Sequence, residues 1–184
     1  KKDNRNTHPV VIDVNIAQLL KQPVGAGREF TIDEDISTLD AGLDPSERLT
    51  GTVRVIRTKR GVLVTVKATT SLRVACSRCL EPVVVPILLD FQEEFLQTVD
   101  IVTGLALDTP QDDPGILIDE HHDLQLTAVI REYLLIALPM QPLCREDCKG
   151  LCPQCGHNLN DGPCSCAGPG GDERWAALSS LLAK

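Results

Sequence analysis

The chain has 184 residues, 26 acidic and 18 basic, with a formal net charge of −8. Apolar content of 42% with 24% charged residues excludes a disordered polyelectrolyte, and the length suits one core, or one core plus a small satellite unit. No stretch approaches the ~18 apolar residues of a spanning helix, and the polar start Lys1-Lys2-Asp3-Asn4-Arg5-Asn6 lacks a signal peptide's apolar run. A soluble, cytoplasmic protein is expected, and the missing initial Met suggests a trimmed chain. The aromatic residues, Phe30, Phe91, Phe95, Tyr133 and Trp175, are too few for a base-stacking platform of the RRM kind.

In chain order, residues 9–14 read as a short strand, 16–21 as a helical turn stopped by Pro23, and 29–32 as a second short strand. Residues 33–47 form an acidic connection. Charge then segregates sharply. From Arg48 to Leu80 stand eight basic residues (Arg48, Arg54, Arg57, Lys59, Arg60, Lys67, Arg73 and Arg78) and no Asp or Glu, leaving −16 for the rest of the chain.

The basic stretch reads as strands. Val53 and Val55, then Val62, Val64 and Val66, then Leu72 and Val74 keep a period of two, which puts Arg54, Lys67 and Arg73 on the opposite face with Thr52 and Thr65. Thr58-Lys59-Arg60-Gly61 is a turn carrying two charges, with Gly61 expected to supply a positive φ. Two readings stay open. Lys and Arg protect sheet edges as solvated charge, or they gain counterion-release energy on phosphates. The absence of acids favours the second, with Arg54, Arg57, Lys59, Arg60, Lys67 and Arg73 as candidate RNA contacts.

Residues 83–89 continue as strand, Pro86 marking an edge or bulge. Residues 107–115 form an acidic loop, and 116–118 could be a strand. Asp123 is a helix N-cap candidate for an apolar segment through Leu138, ended by Pro139 and hydrophobic nearly all round, hence a buried helix. After Gly168-Pro169-Gly170-Gly171, a flexible hinge, residues 172–183 place Trp175, Leu178 and Leu182 on one helical face, with Asp172 as a cap.

The eight cysteines form pairs: Cys76-x-x-Cys79, Cys144-x-x-x-Cys148, Cys152-x-x-Cys155 and Cys164-x-Cys166. A two-residue spacer lets two thiolates reach one tetrahedral zinc from a tight turn, and Gly156 lets backbone N–H groups approach the sulfurs. A disulfide framework lacks a secretory context. A thioredoxin-like pair would start a helix, whereas Cys76 and Cys79 lie between strands. Unpaired core thiols remain an alternative for that first pair. Pairing by nearness makes Cys152, Cys155, Cys164 and Cys166 one site and Cys76, Cys79, Cys144 and Cys148 the other. The competing division groups Cys144, Cys148, Cys152 and Cys155, and His157 could replace one sulfur. Four-thiolate sites are closed, so two zinc ions here are expected to be structural.

No catalytic constellation is expected. His121-His122-Asp123 reads as a helix-start cap beside solvated histidines rather than an acid/base cluster, and no P-loop, dinucleotide fingerprint or nucleophile elbow occurs.

Cys76-Ser77-Arg78-Cys79, Asp123-Leu124 through Ala137-Leu138-Pro139, Pro142-Leu143-Cys144, and Cys148-Lys149-Gly150-Leu151-Cys152-Pro153-Gln154-Cys155-Gly156 with Asn158-Leu159-Asn160 and Cys164-Ser165-Cys166 together resemble the cysteine-rich branch of the bacterial YceD family. The resemblance runs from about residue 48 onward; Asp172-Glu173-Arg174 departs from the commoner Asp-Pro-Arg, and the first 47 residues match loosely. It implies a non-enzymatic role in 23S ribosomal RNA accumulation and large-subunit assembly, with large-subunit rRNA or its precursor as a partner and an association with a small basic ribosomal protein. Shorter family members lack the second cysteine group, which favours the division by nearness.

The expectation is therefore an α+β fold: an antiparallel sheet, open to barrel-like closure, packed on one buried helix, with a C-terminal zinc-bound cysteine-rich unit. Its divisions are residues 1–47 (N-terminal strands and acidic connection), 48–143 (sheet plus helix), 144–167 (zinc unit) and 168–184 (hinge and amphipathic helix). No membrane or small-molecule partner is expected. A protein-only chaperone for a basic ribosomal protein is the alternative, and a zinc-dependent hydrolase or redox enzyme a weaker one.

Overall fold

The computed structural model describes residues 12–108 and 116–166. The expected strand at residues 9–11, most of the acidic loop, the glycine hinge and the C-terminal amphipathic helix fall wholly or partly outside the described residues. The chain divides into two compact units: within the described residues, the first comprises 12–74, 84–108 and 116–140, and the second 75–83 and 141–166.

A seven-stranded sheet organises the first unit. Its strands are β1 (Asp13–Asn15), β2 (Gly27–Glu34), β3 (Leu49–Arg57), β4 (Gly61–Ala75), β5 (Pro82–Gln97), β6 (Leu117–Ile118) and β7 (Asp123–Gln125), in the order β1-β7-β6-β5-β4-β3-β2. The valine alternation is what builds β3 and β4. Val53 and Val55 pair across the strands with Val66 and Val64, and all are buried. Fully burying such a side chain contributes about 1.5–3 kcal/mol. Val74, expected in the core, is only half-buried.

The β3–β4 turn is closed by Thr58, whose amide donates to the Gly61 carbonyl (2.9 Å) and whose Oγ1 accepts from the Gly61 amide (3.0 Å). Gly61 does not take the expected positive φ. Its need for glycine is proximity: a Cβ there would stand 1.9 Å from the Phe95 carbonyl oxygen.

The sheet is mixed rather than antiparallel, because β5 and β6 pair in parallel at Leu96–Leu117 and Gln97–Ile118. It is also open, with β1 and β2 at its edges among the described residues. Since β6 covers only the last residues of β5, exposed Pro86 lies where that side of β5 has no partner among the described residues, so its missing N–H is tolerated.

The helix α2 (Leu126–Ala137) starts later than expected. Asp123 is no cap; it lies in β7 opposite Asn15, whose Nδ2 donates to its carboxylate at 2.7 Å. The residues before the helix are held by sheet pairing with β1, a partner over a hundred positions away that local capping rules do not see. Nor is α2 buried all round. Leu126, Val129, Ile130 and Leu134 face the core, while Ile136 is 76% exposed. Tyr133 stacks on Phe91 of β5 with ring centroids 3.8 Å apart. A shorter helix, α1 (Ala17–Leu20), adds buried Leu19 and Leu20.

Candidate metal centres

Among the described residues the second unit has little apolar material: buried Cys76, Cys79 and Cys148, packed with half-buried Val83, Leu143 and Leu151, and buried Cys152. Its order comes instead from two turns of the same design. In the first, the Cys76 amide donates to the Glu81 carbonyl (2.8 Å) and the Leu80 amide to the Cys76 carbonyl (3.0 Å). In the second, the Cys152 amide donates to the His157 carbonyl (2.8 Å) and the Gly156 amide to the Cys152 carbonyl (2.9 Å). Each turn needs a left-handed residue directly after its second cysteine, and Leu80 (φ +63°) and Gly156 (φ +72°) fill that place.

The turns aim their thiols inward, and the remaining pairs complete two clusters. Cys76, Cys79, Cys144 and Cys148 lie with all sulfurs within 4.8 Å of one another, as do Cys152, Cys155, Cys164 and Cys166. The competing division of the cysteines does not form. His157 stands outside both groups, exposed, with its carbonyl in the turn. None of the eight cysteines is joined in a disulfide in this structure.

Four sulfurs each about 2.3 Å from one zinc stand about 3.8 Å apart in a tetrahedron. Cys76 and Cys148 sulfurs are 3.8 Å apart, Cys79 and Cys144 sulfurs 3.6 Å. Polar donors already serve the sulfurs: the Cys144 amide reaches Cys76 Sγ at 3.4 Å and Asn160 Nδ2 reaches Cys148 Sγ at 3.3 Å. Arg78, counted with the basic stretch, donates from Nη1 to the Cys148 carbonyl at 2.9 Å. Gly150, at φ +74°, passes so close to the Arg78 carbonyl that a Cβ would stand 3.1 Å from it.

Proton affinities split within each cluster. The backbone N–H of Cys79 leads in lowering Cys76 to about 6, whereas desolvation of its sulfur, followed by the neighbouring cysteine side chains, pushes Cys144 up to about 12, although the residue as a whole is exposed. The Asn160 amide leads in lowering Cys148. In the second cluster the backbone N–H groups of Cys155 and Gln154 lower Cys152 to about 6, while the Cys155 side chain and burial raise Cys166 to about 12. Four thiols this close cannot all ionise by themselves; a cation among them removes the conflict. The two groups can hold metal ions such as zinc.

The six candidate RNA contacts do not form one cationic face. Arg54 and Lys67 share the outer face with Thr52 and Thr65, around a groove of about 360 Å³ that Glu29 also lines. Arg54 is directly opposite Glu29, and Lys67 pairs with Asp90 at 3.6 Å. Arg73 grips both Asp44 oxygens (2.9 and 3.1 Å), and Arg48 pairs with Asp33. Arg57 points to the core side, with Nε and Nη1 buried and lacking hydrogen-bond partners among the described residues. Lys59 and Arg60 stand exposed at the turn tip, in no ion pair among the described residues. His121 and His122 lie in the turn between β6 and β7, where the Asp119 carboxylate accepts from the His121 and Asp123 amides at 2.9 and 2.8 Å.

The model of the family described as "Large ribosomal RNA subunit accumulation protein YceD" matches residues 64–182. The chain belongs to the YceD family. Uncharacterized proteins of Mycobacterium tuberculosis and Mycobacterium bovis are each 33% identical to it over 180 residues, spanning 92% of this chain and 80% of theirs. One of Mycobacterium leprae is 29% identical over 136 residues, covering 71% of this chain and 58% of its own. No solved structure matches with significance. YceD membership implies a role in large-subunit ribosomal RNA accumulation. The YceD match includes both cysteine groups, Lys67 and Arg73, and begins after Arg54, Arg57, Lys59 and Arg60. No helix among the described residues is long and apolar enough to cross a membrane.

Proposed function

We propose that this chain is a cytoplasmic, non-enzymatic factor for 23S rRNA accumulation and large-subunit assembly, with a structural zinc ion in each four-cysteine centre. The observation that carries the reading is the YceD match, which spans both cysteine groups. Every cysteine of each group is taken up as a ligand, so the centres leave no open position for substrate and supply folding energy instead.

The rRNA contact is assigned to Lys59 and Arg60 at the turn tip, with Arg54 on the outer face of β3 as a further contact. Lys67 and Arg73 already have carboxylate partners and release less on meeting phosphate. Charge reversal of Lys59 and Arg60 should weaken binding to large-subunit rRNA in a gel-shift titration and reduce the salt slope by about one per residue. Reversal of Lys67 should do much less. Equal rRNA affinity in wild type and the Lys59/Arg60 variant would sink the RNA contact.

The neutralised basic strands favour a second reading: the acidic surface engages a small basic ribosomal protein and RNA is not touched. Co-purification of such a protein that survives nuclease treatment, without salt-dependent RNA binding, would establish it instead.

A further inference from the structure

Asn160 links the two cysteine centres. It lies on the loop between Cys155 and Cys164, so the C-terminal centre closes the loop that carries it. Its Nδ2 donates to Cys148 Sγ of the other centre at 3.3 Å, and its Oδ1 accepts from the Lys149 amide at 2.9 Å. The same loop is stitched to the short segment joining the centres: the Leu159 amide donates to the Gly150 carbonyl at 2.9 Å, and Leu151 bridges Asn158. Asn160 is itself held in place, its backbone N–H donating to Asn158 Oδ1 at 3.1 Å. An N–H aimed at a ligand sulfur orients that sulfur and stabilises its charged form, and such outer partners typically govern 10–100-fold in metal affinity.

We propose that Asn160 is a positioning residue through which occupancy of the Cys152/Cys155/Cys164/Cys166 centre strengthens metal retention at the Cys76/Cys79/Cys144/Cys148 centre. This rests on the zinc reading above. Closing the C-terminal centre fixes the 155–164 loop, the loop fixes the Asn160 amide, and the amide holds Cys148 in ligating orientation. The coupling is reciprocal in binding free energy, whereas rates of metal release need not be symmetric.

The test uses the full chain loaded with zinc and challenged with a chromogenic pyridylazo indicator, comparing wild type, Asn160→Asp, Cys164→Ser and the double variant. Asn160→Asp keeps an oxygen for the Lys149 N–H and replaces the N–H directed at Cys148 by an anionic carboxylate oxygen. Wild type should hold two zinc ions. Asn160→Asp should yield one of them about 10–100-fold more readily and keep the other unchanged, which also reports that the loop still folds. Adding Cys76→Ser to Asn160→Asp should remove the labile ion and leave the slow one, assigning them. Cys164→Ser should loosen the ion at the Cys76 centre by a similar factor, and Asn160→Asp should add nothing further in that background. Wild-type retention of both ions in Asn160→Asp, loss of both, or effects that multiply in the double variant would overturn the coupling alone. A wild type that binds no zinc would overturn the zinc reading and the coupling with it.

Discussion

Leu80 and Gly156 occupy equivalent positions, each the residue after a Cys-x-x-Cys pair and each in the left-handed conformation at φ +63° and +72°. Only one of them is suited to it. A side chain in that region costs about 1–2 kcal/mol, and the Leu80 side chain, 64% exposed, recovers little by packing. Leu80→Gly should therefore leave thermal stability between unchanged and about 1 kcal/mol higher, the relief of strain being partly offset by glycine's unfolded-state entropy. Gly156→Ala should cost about 1–2 kcal/mol. Denaturant midpoints of the metal-loaded variants decide the matter; a clear loss in Leu80→Gly would refute the assignment of strain.

Gly51 sits where β3 meets β4 backbone to backbone. A Cβ there would be 2.2 Å from the Lys67 carbonyl oxygen and 2.4 Å from Ala68 Cα. Neither atom can swing aside, so Gly51→Ala should destabilise at or above the upper end of the ~1–3 kcal/mol range for overpacking. Equilibrium urea unfolding followed by circular dichroism would measure it.

Asp40 ties the connection after β2 to α2. Its carboxylate accepts from the Gly42 amide at 2.6 Å and from Arg131 Nε at 2.5 Å, and these bonds, the Gly42 one foremost, hold it below the ordinary 3.8. A carboxyl lowered in the folded state contributes stability above its unfolded value, and that contribution disappears as pH falls through the lowered folded value. Asp40→Asn should thus be less stable than wild type at neutral pH, and the difference should shrink on acidification below about pH 4. Parallel urea midpoints across that range test it; a constant gap between the two proteins would contradict the linkage.

Metal removal should act on one unit only. Among the described residues the second unit buries Cys76, Cys79, Cys148 and Cys152 with few apolar neighbours, too little to fold on burial alone. A zinc chelator should abolish amide-exchange protection in residues 141–166 while β3 and β4 stay protected. Unchanged protection in both would show that the second unit folds without metal.

The strands and the cysteine geometry were readable because both depend on neighbours in sequence. Alternating Val53, Val55, Val62, Val64 and Val66 define a buried face whatever the rest of the chain does, and two thiols three residues apart must share a turn. What could not be read is what remote segments bring. The acid-free run from Arg48 to Leu80 meets Asp33, Asp44 and Asp90, which belong to stretches on either side of it. Charge segregated along a chain is mixed again when strands lie side by side. In the same way Asp123 was claimed by a distant strand, and Gly61 by the Phe95 carbonyl. Asn160 carries no signal in its own residue type; only the fold brings its amide to Cys148.

The Cys79 and Cys144 sulfurs are separated by 65 positions. At about 5–20 residues per second of synthesis, the first pair of thiols waits some 3–13 s before its partners exist. The sheet waits as well, since β1 can pair only once Leu124 has been made. A nascent chain thus carries an incomplete thiol site and an unfinished sheet edge together, and both close only as residues 123–148 are made. Any interruption before that point leaves a fragment that neither holds metal at the first centre nor completes its sheet, a species readily told apart from the finished protein.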